Sequence, residues 1–380
     1  MKNNKDLPAI YFFSNSGIVI IFSYLVLLLQ KKGISETEIG LLAAVFSFFL
    51  MISNTIFGRM SDVVGRRPFL LIGLVTSSIT TVAYILPDTI WTFAIVRIFN
   101  GISIGIFPAS IIGTASDKNI KVGRLTAFGS IGWAVGGLVG GFVGEYYNLK
   151  IAFIVGGFFY FVAFLIVFLL DTGSKNTKSG IETAIVKPDY VRVIRQNWTI
   201  YLAFILRHGT ANAIWIFWAL FLIDELGINL RQLGIVQATN MGTQFIIMGL
   251  IGDKYNPKKM FVLGGFVSSI AFWSFTIMSG FPQIVISQVI LGTSWTFFYL
   301  GALRSVEANG KKDNSVATGT GLLGACQSIS MLIGPFLAII FYEISKTYTL
   351  SMKFSAIVTT ITTLLFFLWE YIFTRDGIKK

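Results

Sequence analysis

A single cysteine, Cys326, and a single histidine, His208, are all the chain has of the side chains from which most metal and redox sites are built. One thiol excludes a disulfide framework and any CxxC pair. With one imidazole beside it, a protein-built zinc site is not expected either. Charge is scarce, at 13% of residues, and the 18 acidic residues fall in tails, loops or the ends of apolar runs. No buried carboxylate therefore presents itself as a general acid or proton carrier. One histidine, one cysteine and no buried acid leave little from which to assemble a catalytic constellation. The sequence points away from an enzyme, and no cofactor or metal is implied.

What is present is apolar. Hydrophobic residues make up 54% of the chain and the mean hydropathy is +0.74, beyond any soluble domain of ordinary composition. Runs long enough to cross about 30 Å of hydrocarbon recur along the whole length, at 8–30, 38–59, 68–86, 89–114, 125–146, 151–170, 198–223, 233–251, 260–279, 282–303, 316–341 and 354–373. These predict an all-α membrane protein of twelve transmembrane helices, numbered here as spans 1 to 12. The runs are continuous and do not alternate, which excludes a β-barrel. The basic start MKNNK resembles a signal peptide, but the run behind it is too long for one and is read as a helix of the mature protein.

The net charge of +12 would suggest nucleic acid in a soluble protein, and here its placement decides otherwise. With the amino terminus in the cytosol, 22 of the 30 Lys and Arg fall on cytosolic segments and 6 outside, leaving Arg97 and Arg207 within spans. That is the positive-inside bias of a polytopic protein. It places both termini in the cytoplasm of a multi-pass cell-membrane protein and leaves no soluble domain to bind nucleic acid.

The longest polar stretch, 171–197, has the Ser, Lys, Thr and Gly content of a connector. It separates an N-terminal six-helix bundle (1–170) from a C-terminal one (198–380). The halves repeat. Gly58 and Asp62 match Gly249 and Asp253 at an offset of 191, which also carries Arg97 onto Gln288 and Gly101 onto Gly292; Gly123 and Gly136 fall on Gly321 and Gly334 at an offset of 198. Two pseudo-symmetric bundles can rock and expose a site to each side in turn, which suggests a carrier more than a static pore. A channel, or a sensor built on a transporter scaffold, stays open as a weaker alternative.

Three motifs sharpen this reading. Residues 58–70, GRMSDVVGRRPFL, join spans 2 and 3. Gly58 allows close helix approach, Asp62 suits a positive helix end, Gly65 permits a tight turn, Arg66 and Arg67 hold the loop in the cytosol, and Pro68 suits a first helical turn. Span 4 carries Arg97-Ile98-Phe99-Asn100-Gly101, and Gly123, Gly132, Gly136, Gly137, Gly140 and Gly141 recur in and before span 5.

Together these resemble the major facilitator superfamily of secondary transporters over the whole chain. The loop is similar to G-x-x-x-D-R-x-G-R-[RK], with Val63 where the family has Arg; span 4 is similar to R-x-x-Q-G, with Asn100 for Gln; span 5 is similar to the antiporter pattern G-x8-G-x3-G-P-x2-G-G, with Gly137 for Pro. The resemblance implies a cytosolic latch that stabilises the outward-facing state and a span-4 arginine associated with coupling in proton-coupled members. It also implies a cavity surrounded by spans 1, 4, 7 and 10. On those spans Asn15, Arg97, Asn100, Arg207, His208, Asn212, Trp215, Gln288, Trp295 and Tyr299 are the candidate path residues.

Two mechanisms stand side by side. In one, a proton-coupled carrier moves a small organic solute, export favoured, with His208 as the only ionisable group among Arg97, Arg207 and His208 that titrates easily near neutrality. In the other, Arg97 and Arg207 make the path positive and the substrate is an organic anion. Arg207 and His208 either reach the cytosolic boundary by snorkelling or face the cavity, and the lack of any buried acid favours the cavity. The partners implied are a small-molecule substrate, a proton and the bilayer, with the chain working as a monomer.

Overall fold

A computed structural model describes residues 6–118, 120, 122–169, 190–251, 255–311 and 315–373. Among these there are thirteen α-helices and no strand: α1 (Asp6–Lys31), α2 (Glu36–Val64), α3 (Arg66–Val82), α4 (Ile90–Ile106), α5 (Pro108–Asp117), α6 (Val122–Tyr146), α7 (Leu149–Leu169), α8 (Tyr190–Leu220), α9 (Leu230–Ile251), α10 (Pro257–Phe275), α11 (Phe281–Gly310), α12 (Val316–Ser345) and α13 (Thr349–Leu368). Helices α4 and α5 make one span, Ile90–Ala115, broken at Phe107 because Pro108 has no N–H to continue the ladder. Twelve helical segments thus stand where twelve apolar runs were read.

Ten of them are long and apolar enough to cross a bilayer by themselves. The two that fall short have visible reasons: α9 carries Gln237, Asn240 and Gln244, and α10 opens on Lys258 and Lys259. Starts and stops follow local chemistry. Ser35 and Glu38 form a capping box at the head of α2, and Thr89 and Thr92 form one at α4. Asn256 caps α10 with Pro257 in its first turn. Helix α8 begins at Tyr190, so residues 190–197, assigned by their polarity to the connector, are two helical turns ahead of span 7. Polar residues on a helix that projects beyond the apolar zone carry no hydropathy signal. The rest of the connector lies outside the described residues.

The chain divides into two compact units. The N-terminal unit gathers α1–α7 together with Ala219–Gly249, the wide turn that ends α8 and the helix α9. The C-terminal unit gathers the remainder of α8 with α10–α13. Its core includes a cluster that gathers Phe204, Phe261, Phe298 and Phe366 with aliphatic neighbours. The sequence repeat is also a repeat of contacts. Gly73 on α3 lies against Phe107, and a Cβ there would come within 2.9 Å of the Phe107 Cβ; Gly264 on α10 lies against Phe298, where a Cβ would collide with its backbone. The offset of 191 carries the first pair onto the second.

Candidate functional site

The loop motif is built around Gly65, whose φ of 108° lies where a side chain would be strained. It ends α2 and begins α3 in one residue. Gly58 brings α2 against Ala109, 3.2 Å from where its Cβ would be, and the Arg66 guanidinium fills the space beside Gly113. Arg67 donates from Nη2 to the carbonyls of Phe168 (3.2 Å) and Val167 (3.5 Å), at the end of α7. A cation there satisfies carbonyls that the helix leaves open and meets its negative end. The side chain of Asp62 and all of Asp253 lie outside the described residues. Gly249, the repeat partner of Gly58, has no atom within 4 Å of a Cβ position.

Helix α6 presents glycine on two faces. Gly132, Gly136 and Gly140 meet α1, where a Cβ would collide with the Phe12 and Ser16 carbonyls or lie 2.6 Å from the Tyr24 ring; Gly137 and Gly141 meet Gln237, Gly234 and Leu230 of α9 and its start. Tyr24 closes the corner by donating its hydroxyl to the Gly137 carbonyl at 2.6 Å. Gly123 lies in the first turn of α6. In the C-terminal unit Gly334, one residue before the helix-interior Pro335, meets the Cβ of Asn212 in the same manner. Span 11 therefore packs on span 7 as span 5 packs on span 1.

The polar candidates of the N-terminal unit separate into two groups. Asn15 accepts a 2.8 Å hydrogen bond from the Trp133 indole and donates to the Tyr11 carbonyl at 2.7 Å. Phe22, partly exposed, packs on Trp133 with ring centroids 5.8 Å apart. Asn100 turns inward and is fully buried. It accepts from the Tyr84 hydroxyl at 3.2 Å and donates to Thr80 Oγ1 at 3.0 Å, tying α4 to α3 and the turn after it. Arg97 lies over the Phe46 ring at 4.8 Å and near Tyr84 at 5.9 Å, and its Nε is buried with no hydrogen-bond partner.

In the C-terminal unit the pair that looked odd in the sequence meets one shared ring, Trp295. His208 stacks on Trp295 with centroids 4.9 Å apart at 27°, and Trp295 stacks in turn on Tyr299 at 5.3 Å and 18°. Asn212 donates to the His208 carbonyl at 2.7 Å, and Trp215 packs edge-on against Trp218 and Phe275. Gln288 is buried on α11. Arg207 is 3% exposed, so it does not snorkel. Its Nε and Nη2 donate to Ser268 Oγ at 3.2 and 3.0 Å, and its guanidinium is 5.1 to 5.2 Å from the rings of Phe272, Trp295 and Phe298. Each ring contributes about 0.5–2 kcal/mol. Burying the charge costs several kcal/mol, of the same order as the rings and one hydroxyl return.

Comparison with known proteins settles the family. The Major Facilitator Superfamily model matches residues 9–239 and 200–378. The chain belongs to that superfamily. It is 26% identical over 345 residues to the class B tetracycline resistance protein of Escherichia coli, covering 86% of this chain and 85% of that protein. It is 24% identical over 366 residues to an uncharacterised MFS-type transporter of Methanocaldococcus jannaschii, covering 91% and 93%. The quinolone resistance protein NorA of Staphylococcus aureus is 25% identical over 209 residues, about half of each chain. Among solved structures, the nucleoside transporter NupG superposes with a TM-score of 0.76 at 14% identity, covering 98% of this chain and 99% of NupG. A bacterial homologue of the lysosomal transporter Spinster gives 0.73 at 16%, covering 98% and 97%. These likenesses fix the twelve-helix fold of a multi-pass membrane transporter.

Within that family fold, Gly58, Gly65, Arg66 and Arg67 build the turn between α2 and α3, and the glycines of span 5 line two faces of α6. The path residues are only partly brought together: His208, Trp295 and Tyr299 form one stack, whereas Asn100 serves as an internal bracket. Ser268, Phe272, Phe298 and Trp133 escaped sequence reading. Trp133 adjoins Gly132 of the span-5 motif and was within reach; the three partners of Arg207 carry no motif and sit about sixty to ninety residues away in the chain.

Proposed function

We propose that this superfamily member is a proton-coupled exporter of small, flat organic compounds, working by alternating access through its duplicated halves, 1–170 and 198–380. The observation that carries the substrate class is the stack of His208, Trp295 and Tyr299, a platform of ring faces suited to planar solutes. Two of the relatives are named for resistance to tetracyclines and quinolones, both fused-ring compounds with a flat conjugated part, which supports export. His208 is the natural proton carrier, because its ordinary titration range lies near neutrality and its Nδ1 is buried with no hydrogen-bond partner. On this reading the protein is no enzyme, acts as a monomer in the cell membrane, and keeps both termini in the cytoplasm.

The organic-anion alternative loses support from Arg207, whose guanidinium is enclosed by Ser268 and three rings and is 3% exposed, out of reach of an organic solute. The test is a thermal-shift screen of the purified protein against planar cations, sugars, amino acids and organic acids, since a ligand raises stability by mass action. Hits are then assayed for accumulation in proteoliposomes under an imposed proton gradient. Planar compounds that bind, accumulate with the gradient, and lose about three- to tenfold in affinity on Trp295→Ala are the expected result. Selective binding of organic acids, or equilibration without accumulation, would sink the reading.

A further inference from the structure

Arg207 leaves a charge unanswered. Among the described residues it forms no ion pair, and its hydrogen bonds go to one hydroxyl, that of Ser268. A guanidinium has five N–H donors, so others remain to be met. The three rings around it attract the cation but accept no strong hydrogen bond.

A small cavity opens beside it, inside the C-terminal unit. Arg207, Gly265, Thr362 and Thr363 supply its polar and backbone lining, and Phe298 and Phe366 its apolar walls. Gly265 makes room for Thr363, whose Oγ1 would be 2.5 Å from a Cβ at that position. One turn before Thr363 on α13, Thr359 is fully buried with an unpartnered Oγ1. One turn earlier again, Ser355 donates to the Thr210 carbonyl of α8. The hydroxyl stripe of α13 therefore runs along the face of α8 that carries Arg207. Cation and hydroxyls are all hydrogen-bond donors, which suits an acceptor of negative charge.

We propose that a monatomic anion, chloride under ordinary conditions, binds in this cavity against Arg207 and the Thr363 hydroxyl. Size favours a small guest: the cavity is tiny, which suits a monatomic ion better than phosphate, sulfate or a carboxylate. Charge selects between halide and water. A water satisfies N–H groups but leaves the buried cation uncompensated, and a buried charge is retained where it is paired. The cavity adjoins the His208 stack, because Arg207 also lies 5.2 Å from the Trp295 ring, but the proposal does not depend on the transport reading above.

The experiment compares the thermal midpoint of the purified full-length protein in chloride, bromide, sulfate and gluconate at one ionic strength. A saturable rise with chloride and bromide, and none with sulfate or gluconate, is expected. Bromide is a heavy-atom quencher of indole fluorescence, and Trp295 lies 5.2 Å from the Arg207 Cζ, so a saturable quench lost in Trp295→Phe should accompany the rise. Thr363→Val preserves volume and should weaken halide binding. Arg207→Gln should abolish it, and if that variant does not fold, Thr363→Val carries the decision. Equal midpoints in chloride and gluconate, a midpoint that follows ionic strength alone, or halide binding unchanged in Thr363→Val would each overturn the proposal.

Discussion

The imidazole of His208 on α8 lies on the indole of Trp295 on α11, centroids 4.9 Å apart and planes at 27°. Protonation turns that neutral stack into a cation–π pair, so the charge state of His208 and the packing of two helices are linked. Transport by the wild type is expected to vary with pH, and His208→Gln to flatten that profile. Initial rates in proteoliposomes at stepped internal pH measure it; an unchanged profile in the variant takes His208 out of the proton path.

Asn100 gives a sharper contrast between packing and path. Its amide joins Tyr84 and Thr80, so Asn100→Leu leaves a buried phenol and a threonine hydroxyl without this partner, at about 1–3 kcal/mol. The variant should lose thermal stability while KM for substrate stays near wild type. A raised KM with unchanged stability would return Asn100 to the solute path.

Glycine spacing in α6 makes a paired prediction. A side chain at Gly136 is driven into the Ser16 carbonyl, whereas a Cβ at Gly242 on α9 meets nothing within 4 Å. Gly136→Val should destabilise by about 1–3 kcal/mol or more through overpacking. Gly242→Ala should be neutral or gain up to about 1 kcal/mol of helix stability. Thermal midpoints of the two variants decide it, and equal losses in both would show that glycine flexibility, not clearance, is what matters.

Lys32, just past α1, pairs with Asp88 in the loop before α4. The hydrogen bond and the positive charge of Lys32 hold the Asp88 carboxyl below its usual range. A carboxylate lowered in the folded state adds stability above its unfolded value of about 3.9 and loses it as pH falls through the lowered folded value. Asp88→Asn should therefore differ from wild type at neutral pH in low salt and converge with it in acid. The pair is exposed, so the difference should be small and vanish in high salt. A difference that persists at high salt would contradict this account.

Much of the architecture was legible because bilayer chemistry leaves few choices: a run such as 151–170, with no charge in it, can only be a spanning helix. The glycine positions were legible for a related reason, since Gly132 and Gly136 recur at the spacing of one helix face. Arg207 was not. Adjacent residues on a helix point about 100° apart, and nothing local told which neighbour each would meet. Its partners come from α10 and α11, and Ser268 and Phe298 look like ordinary helix-packing residues until the chain is folded. Asn100 shows the other limit: its motif places it on span 4 but says nothing of its partners, and the fold sets the amide against Tyr84 and Thr80.

Helix α6 carries one last implication. Where side chains interlock, sliding one helix past another means lifting every knob out of its hole. Along Gly132, Gly136 and Gly140 on one side and Gly137 and Gly141 on the other, the backbone of α6 rests on backbone, on the Tyr24 ring and on the flanks of Val19, Ile20 and Gln237. The surface behaves as a bearing and not as a gear: it fixes how far apart its neighbours stay while leaving little to set their register along its length.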